Sequence, residues 1–323
     1  MKQINIMVFP CGSEVGLEIH RALKDIRFID LYGASSVDDH GCWVYKNYIG
    51  GIPYMNDAAF ISKMNEVIDE YKIDFIFPAL DSVMTELSKH RDELHATLLT
   101  SPDDAVQLCR SKSKTYARLE GCDFLPQVYS GVEEIDTYPV IIKPSESQGA
   151  QGFKIIETRS DLEYELSVRE DEQVICEYLP GEEYTIDCFT DRKGELRYVA
   201  YRNRHRIKNG ISVNSTMMAP DERIREIAEI INQKIEFRGV WFFQLKRNVN
   251  GEYRLLECAT RIAGTMCVQR AAGVNLALLT VFDTLEYDLD ISPQIKKVTV
   301  DRALHNLFKL DIEYDEKNVY IKI

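Results

Sequence analysis

The sequence predicts a mixed α/β and α+β chain, with a parallel, doubly wound sheet at its start and hairpin-rich lobes behind it. Two observations carry this. Over residues 1–100, short apolar runs alternate with helical patterns, as happens when parallel strands need crossover helices. Farther on, strand-like runs flank the turn pairs Pro180-Gly181 and Asn250-Gly251, which read as hairpin connections.

Taken in order, residues 4–9 form a buried strand, followed by the turn Pro10-Cys11-Gly12-Ser13-Glu14-Val15-Gly16 and a helix through Leu23. Residues 27–32 read as a second strand, 56–70 as a helix and 73–77 as a further strand, which ends at Pro78-Ala79-Leu80-Asp81 before a helix from Ser82. Ligands of such sheets gather at the carboxyl ends of the strands, where Gly12, Gly16 and Asp81 fall. The Gly12/Gly16 loop is neither G-x-G-x-x-G nor a P-loop, so a tight turn is expected there and dinucleotide binding is unsupported. Asp81 can orient a substrate amine or cap the helix after it, and capping is favoured. Residues 105–119 read as one helix, 221–235 as an amphipathic helix and 275–285 as a helix packed over the second hairpin. From 298 to 323, short strands with charged turns are expected.

Composition narrows the partners. A net charge of −13 and a pI near 5.1 argue against nucleic acid, whose phosphates need a basic surface. No apolar run approaches membrane-spanning length, and the chain opens into a strand without a signal-peptide pattern, so a cytoplasmic protein is expected. Eight scattered cysteines without a Cys-x-x-Cys pair suggest free thiols, not a disulfide frame or a zinc site.

Six stretches carry chemistry. Lys112 lies in a basic run on the 105–119 helix, and alone it means little. A short apolar strand ends in Lys143, and directly after it Ser145, Ser147, Gly149 and Gly152 form a loop able to offer backbone N–H groups to phosphate oxygens, with the lysine adding a point charge. The corner Glu177-Tyr178-Leu179-Pro180-Gly181 can hold a flat heterocycle, with Glu177 or a backbone carbonyl accepting from an exocyclic amine and the Leu179 amide donating to a ring nitrogen. Glu183 follows in position to accept from ribose hydroxyls. In the hairpin around Asn250-Gly251, a two-residue turn sets Gln244 directly opposite Glu257, with Cβ atoms roughly 5 Å apart, where an amide oxygen and a carboxylate can share a hard cation. Ala259 and Arg261 share the face of Glu257 if the strand runs on. The run 201–210 is the densest positive stretch of an acidic chain; Arg204 and Arg206 alternate with His205 and are expected on one strand face, where they suit an anionic ligand. Arg270 is a weaker candidate for a carboxylate.

These stations, in this order from about Cys109 to Leu285, resemble the ATP-grasp superfamily, of the carboxylate–amine ligase type related to biotin carboxylase and the carbamoyl phosphate synthetase large subunit. The resemblance implies an N-terminal Rossmann-like domain (1–108) and a two-lobed ATP-grasp fold, with a small lobe at 109–185 and a C-terminal lobe at 186–323. It implies ATP phosphates on Lys112 and Lys143, adenine on Glu177, Tyr178 and Leu179, ribose on Glu183, and magnesium (manganese as a substitute) on Gln244 and Glu257. Arg261 and Lys143 take the catalytic roles, and the expected partners are a small-molecule carboxylate and an amine, with a homodimer left open. One departure stands out. Where the family reads Glu-x-Asn-x-Arg this chain has Glu257-Cys258-Ala259-Thr260-Arg261, so one expected metal ligand is missing. A non-catalytic or regulatory ATP-binding protein is therefore the second reading, and a Rossmann-type NAD(P) protein the third.

Overall fold

The structure, a computed structural model, describes residues 2–147, 149, 151–208, 210–292 and 297–303. The expectation for residues 304–323 lies outside them.

The first unit comprises β1 (Ile4–Phe9), α1 (Glu14–Leu23), β2 (Ile29–Ala34), α2 (Gly41–Val44), β3 (Asn47–Ile49), α3 (Phe60–Tyr71), β4 (Phe75–Pro78), α4 (Asp81–Lys89) and β5 (Thr97–Leu98). Its five strands are parallel in the order β3-β2-β1-β4-β5. Strand order reverses beside β1, so the loops after β1 and β4 open on one crevice. The turn after β1 is tight for a steric reason: a Cβ at Gly16 would lie 2.5 Å from the Cys11 carbonyl oxygen. Ser13 caps α1 by accepting from the Gly16 amide at 2.9 Å.

The expected single helix at 105–119 is two, α5 (Asp103–Arg110) and α6 (Lys112–Arg118). Ser111 breaks them: its backbone is extended and its hydroxyl accepts from the Lys114 amide, a local bond that competes with helix continuation. The break turns Lys112 inward.

A second, antiparallel sheet follows, built from β6 (Val128–Tyr129), β7 (Val140–Pro144), β8 (Lys154–Ile156) and, after α7 (Arg159–Val168), β9 (Gln173–Glu177), in the order β6-β9-β7-β8. The larger antiparallel sheet is formed by β10 (Glu183–Thr190) and β11 (Leu196–Asn203). After β12 (Arg206–Lys208), β13 (Ile211–Thr216) and α8 (Glu222–Lys234), it is completed by β14 (Gly239–Arg247) and β15 (Tyr253–Ala259), in the order β11-β10-β14-β15. Last come α9 (Cys267–Ala271), α10 (Leu276–Thr284) and β16 (Thr299–Asp301), which extends the β12-β13 pair.

The period of two along β14 sorts its faces. Val240 and Phe242 join α1, β1 and α10 in one core, while Trp241, Phe243 and Leu245 pack against α8 and β10 in another. Trp241 is fully buried, stacks on Phe237 at 3.9 Å and donates to the Thr190 hydroxyl. Trp241→Ala is expected to cost about 3–5 kcal/mol of folding free energy, measurable by urea denaturation; a loss below about 1 kcal/mol would contradict this packing account. Gln244, Glu257 and Ala259 lie on the opposite face of these strands, toward the first unit.

All eight cysteines are unbridged, and no helix among the described residues is long and apolar enough to cross a membrane.

Candidate active site

The hairpin carrying Gln244 and Glu257 is built differently from the expectation, yet brings them together. The connection is not a two-residue turn. Val249, Asn250 and Gly251 form a three-residue loop closed by Asn248 N–H to the Glu252 carbonyl, with Gly251 left-handed at φ +79°. That loop alone would set Gln244 against Leu256. A bulge at Leu256 takes up one residue, and beyond it Gln244 pairs with Glu257 and Phe242 with Ala259.

The bulge also frees a carbonyl. Leu256 O accepts from the Tyr116 hydroxyl at 2.8 Å and from Lys143 Nζ at 3.3 Å, and Lys143 reaches the Tyr116 hydroxyl at 3.0 Å. Tyr116, one helical turn after Lys112, was not singled out from sequence, although the i, i+4 spacing placed it on the same helix face. Lys112, turned inward by the Ser111 break, donates from Nζ to the Ser147 hydroxyl at 2.9 Å. Both lysines are nearly out of solvent, 8% and 6% exposed. Burial pulls each ammonium below its ordinary pKa of 10.5, against the opposing charge of Glu257. Glu257 stands within the field of four cations, Lys112, Lys143, Arg204 and Arg261. Among the described residues its carboxylate has no ion pair or hydrogen bond.

Two cavities meet at Gln244 and Glu257. One, of about 230 Å³, is lined by Lys112, Lys143, Ser147, Gly149, Tyr178, Leu179 and Glu183, with Ile141 and Leu256 supplying apolar floor. The other, of about 640 Å³, runs to the crevice of the parallel sheet at Ser13–Val15 and Ala79–Asp81, and Arg202, Arg204 and Arg261 line its other side. Gly149 and Gly210 approach so closely across the first cavity that a Cβ on Gly210 would lie 2.4 Å from the Gly149 carbonyl carbon.

Several expected residues lie elsewhere. Ser145 does not face the cavity: its hydroxyl is buried between those of Ser111 and Ser113, 2.9 Å from each, so it props the start of α6. Gly152 lies beyond the lining. At φ +72° its backbone passes the Pro144 ring, where a Cβ would come within 2.6 Å, and its carbonyl accepts from Arg169. Gln148 and Ala150 of the same loop are outside the described residues. The Glu177 carboxylate accepts from the Gln127 amide at 3.0 Å and pairs with Arg254 at 3.3 Å, and Glu177 is not among the residues that line the cavity. Glu183 lines the cavity but is paired with Arg204 at 2.7 Å.

Arg204 and Arg206 do not share a strand face, because the chain leaves β11 at Asn203 and starts β12 only at Arg206. Arg204 is buried between the two cavities, whereas Arg206 is exposed and paired with Asp301. Asp81 is not a helix cap; Leu80 holds the cap position without a side-chain bond, and both Asp81 oxygens accept from Arg261, at 2.6 and 2.7 Å. Burial raises the Asp81 carboxyl, but Arg261 more than offsets it, and the net position is below the ordinary 3.8. Arg270 is taken up by the buried Glu18 at 3.0 Å, between α9 and α1. A buried network unseen in the sequence backs the larger cavity. Arg202 pairs with Asp187 at 3.0 Å, and Gln269 donates to that carboxylate while accepting from Tyr198.

The depressed lysine pKa values have a measurable consequence. Protonated lysine is the form that attracts phosphate, so the affinity of this cleft for a polyphosphate ligand is expected to fall as pH rises through values below 10.5. Titration with a fluorescent ATP analogue from pH 7 to 10 checks this, and Lys112→Arg, whose cation stays charged, is expected to flatten the profile.

Residues 169–305 match the family model described as ATP-grasp in the biosynthetic pathway with Ter operon. No curated protein matches the chain by sequence. Among solved structures, the chain is similar to N5-carboxyaminoimidazole synthetase from Staphylococcus aureus complexed with ADP, at 16% identity, covering 91% of this chain and 81% of that one with a TM-score of 0.73 to 0.75 across this and the next two structures. The biotin carboxylase–ATP complex from Campylobacter jejuni gives 18% identity over 90% of this chain and 73% of that one. The MgADP- and bicarbonate-bound biotin carboxylase domain of Hydrogenobacter thermophilus 2-oxoglutarate carboxylase gives 14% over 92% and 73%. The resemblance to the ATP-grasp superfamily thus holds in family model and in fold: a mixed α/β architecture with one parallel and several antiparallel sheets.

Proposed function

We propose that this chain is an ATP-dependent ligase that activates a carboxylate as an acyl phosphate for attack by an amine. The observation that carries the reading is the shared edge of the two cavities. Gln244 and Glu257 stand where a lysine-lined cleft opens into an arginine-lined one, as transfer of a phosphoryl group from one bound molecule to another requires. In this reading Lys112 and Lys143 neutralise ATP phosphates, with Ser147 and Gly149 above them; Tyr178 and Leu179 flank adenine. A carboxylate oxygen attacks the γ-phosphorus and ADP leaves; the amine then attacks the acyl carbon and phosphate leaves. Arg261 and Arg204 balance the charge on the phosphoryl group and on the acyl phosphate.

The residues fit magnesium. One carboxylate and one amide oxygen, neither tied up by protein donors among the described residues, are hard ligands of the kind that share the ion with phosphates and water. When bound, magnesium supplies charge neutralisation for the phosphates. Ala259 adds no oxygen, so Gln244 and Glu257 are the protein's own contribution, and manganese satisfies the same donors.

The three-part division at 108 and 185, a cytoplasmic location and a homodimer belong to the same reading. Ala259, buried against Phe242, favours the second reading, a nucleotide-binding protein without turnover. Release of ADP and phosphate that depends on both an added carboxylate and an added amine supports the ligase. ATP binding without turnover across a broad substrate panel supports the second reading instead.

A further inference from the structure

A small recess of about 30 Å³ lies beside the end of β15, with room for roughly one or two water-sized atoms. Three cations border it, Arg110, Lys112 and Arg261, and two carboxylates, Asp81 and Glu257. Its place follows from what it shares. Lys112, Ser147 and Glu257 also line the lysine-lined cleft, while Asp81, Glu257 and Arg261 also line the larger cavity. The recess therefore lies where the two meet.

In a chain of net charge −13, three cations against two carboxylates is a local positive excess. Asp81 is spent on Arg261 at 2.6 Å, and Lys112 donates to the Ser147 hydroxyl at 2.9 Å. Arg110 is the least committed of the three. It ends α5, its side chain is 18% exposed, and Nη1 donates to the Ser147 carbonyl at 2.9 Å. Its only carboxylate among the described residues is the exposed Glu146, 3.7 Å from Nε and beyond hydrogen-bond reach. A guanidinium has about five N–H donors, so most of them stay available. Ala259 borders the recess with a methyl group and gives a metal ion no side-chain ligand there. Arg110 brings positive charge to the same place without one.

We propose that Arg110 is a catalytic residue that binds the γ-phosphate of ATP, its available donors reaching a non-bridging oxygen in the recess. This rests on the nucleotide that the ligase reading places in the lysine-lined cleft. As the bond from the γ-phosphorus to ADP breaks and the bond to the carboxylate oxygen forms, the guanidinium stays protonated and passes no proton. It balances the charge on the oxygens in transit.

The test compares two nucleotides that differ at the γ position. Mg-AMP-PNP and Mg-ADP are titrated by calorimetry into the unaltered full chain and into Arg110→Met. The Kd for Mg-AMP-PNP is expected to rise about 10- to 100-fold, the scale of lost hydrogen bonds to a charged group, while that for Mg-ADP changes less than about threefold. Retained ADP affinity shows at the same time that the cleft is folded. Arg110→Lys keeps the charge and is expected to lose selectively but less; it carries the comparison if the methionine variant does not fold. Equal weakening for both nucleotides assigns Arg110 to holding Ser147 alone and overturns this inference, as does no change for either. Selective loss of Mg-AMP-PNP, in a chain that turns over with no carboxylate and amine, upholds Arg110 and refutes the ligase reading. Failure of the unaltered chain to bind either nucleotide overturns both.

Discussion

Arg261→Ala is expected to lower carboxylate-dependent phosphate release by about 10³-fold, the scale on which a guanidinium at a transferring phosphoryl group acts. The same substitution has a structural cost, because Arg261 spans two units of the fold: it leaves the end of β15 and forms a two-pronged pair with Asp81 at the start of α4. Removing it strands a buried carboxylate, which costs about 3 kcal/mol. The two effects separate in a cycle. Asp81→Asn combined with Arg261→Met is expected to recover most of the stability and none of the rate. Acid titration gives an independent check. In the unaltered protein Asp81 lies below its ordinary 3.8, so its contribution is complete above that value and is lost only as pH falls through the depressed pKa. In Arg261→Ala burial is opposed only by the weaker fields of Arg110 and Lys112, the Asp81 pKa rises, and the stability deficit is expected to shrink as pH falls from 7 to 5. Urea denaturation at the two pH values measures it; a variant with the original rate would remove Arg261 from the chemistry.

Glu257→Gln is expected to lower turnover by about 10²-fold or more and to raise the magnesium concentration for half-maximal rate at least about tenfold. Folding is expected to survive, since among the described residues no hydrogen bond or ion pair depends on that carboxylate. The comparison with Gln244→Glu is the sharper measurement. A second carboxylate opposite Glu257 tightens a hard cation while adding charge repulsion toward the phosphates, so magnesium affinity is expected to rise as the rate falls. Equal magnesium dependence in all three proteins would refute the cation site.

Much of this site was legible because its parts are local. Lys143 at a strand end, the turn glycines and the aromatic strand of Trp241 are each written in a few neighbouring residues, and so is the alternation of the parallel sheet. Even the Gln244–Glu257 pairing was legible, though a two-residue turn was the wrong reason for it. A longer loop and a compensating bulge reach the same register.

What eluded the sequence were partners distant along the chain. Asp81 and Arg261 are 180 residues apart, Arg270 and Glu18 are 252 apart, and neither member of either pair announces the other. Arg204 and Arg206 alternate as strand residues should, yet a break between them sends one into the cavity and the other to the surface. By itself, then, the sequence determined the alternation of the parallel sheet, the later hairpins and the chemical types at the lysine-lined cleft, because hydrophobic period and turn chemistry act over a few residues. Tertiary structure alone decided which charges are free. Burial made each arginine of the larger cavity find a carboxylate, wherever in the chain one could reach it, and among the described residues left Glu257 open.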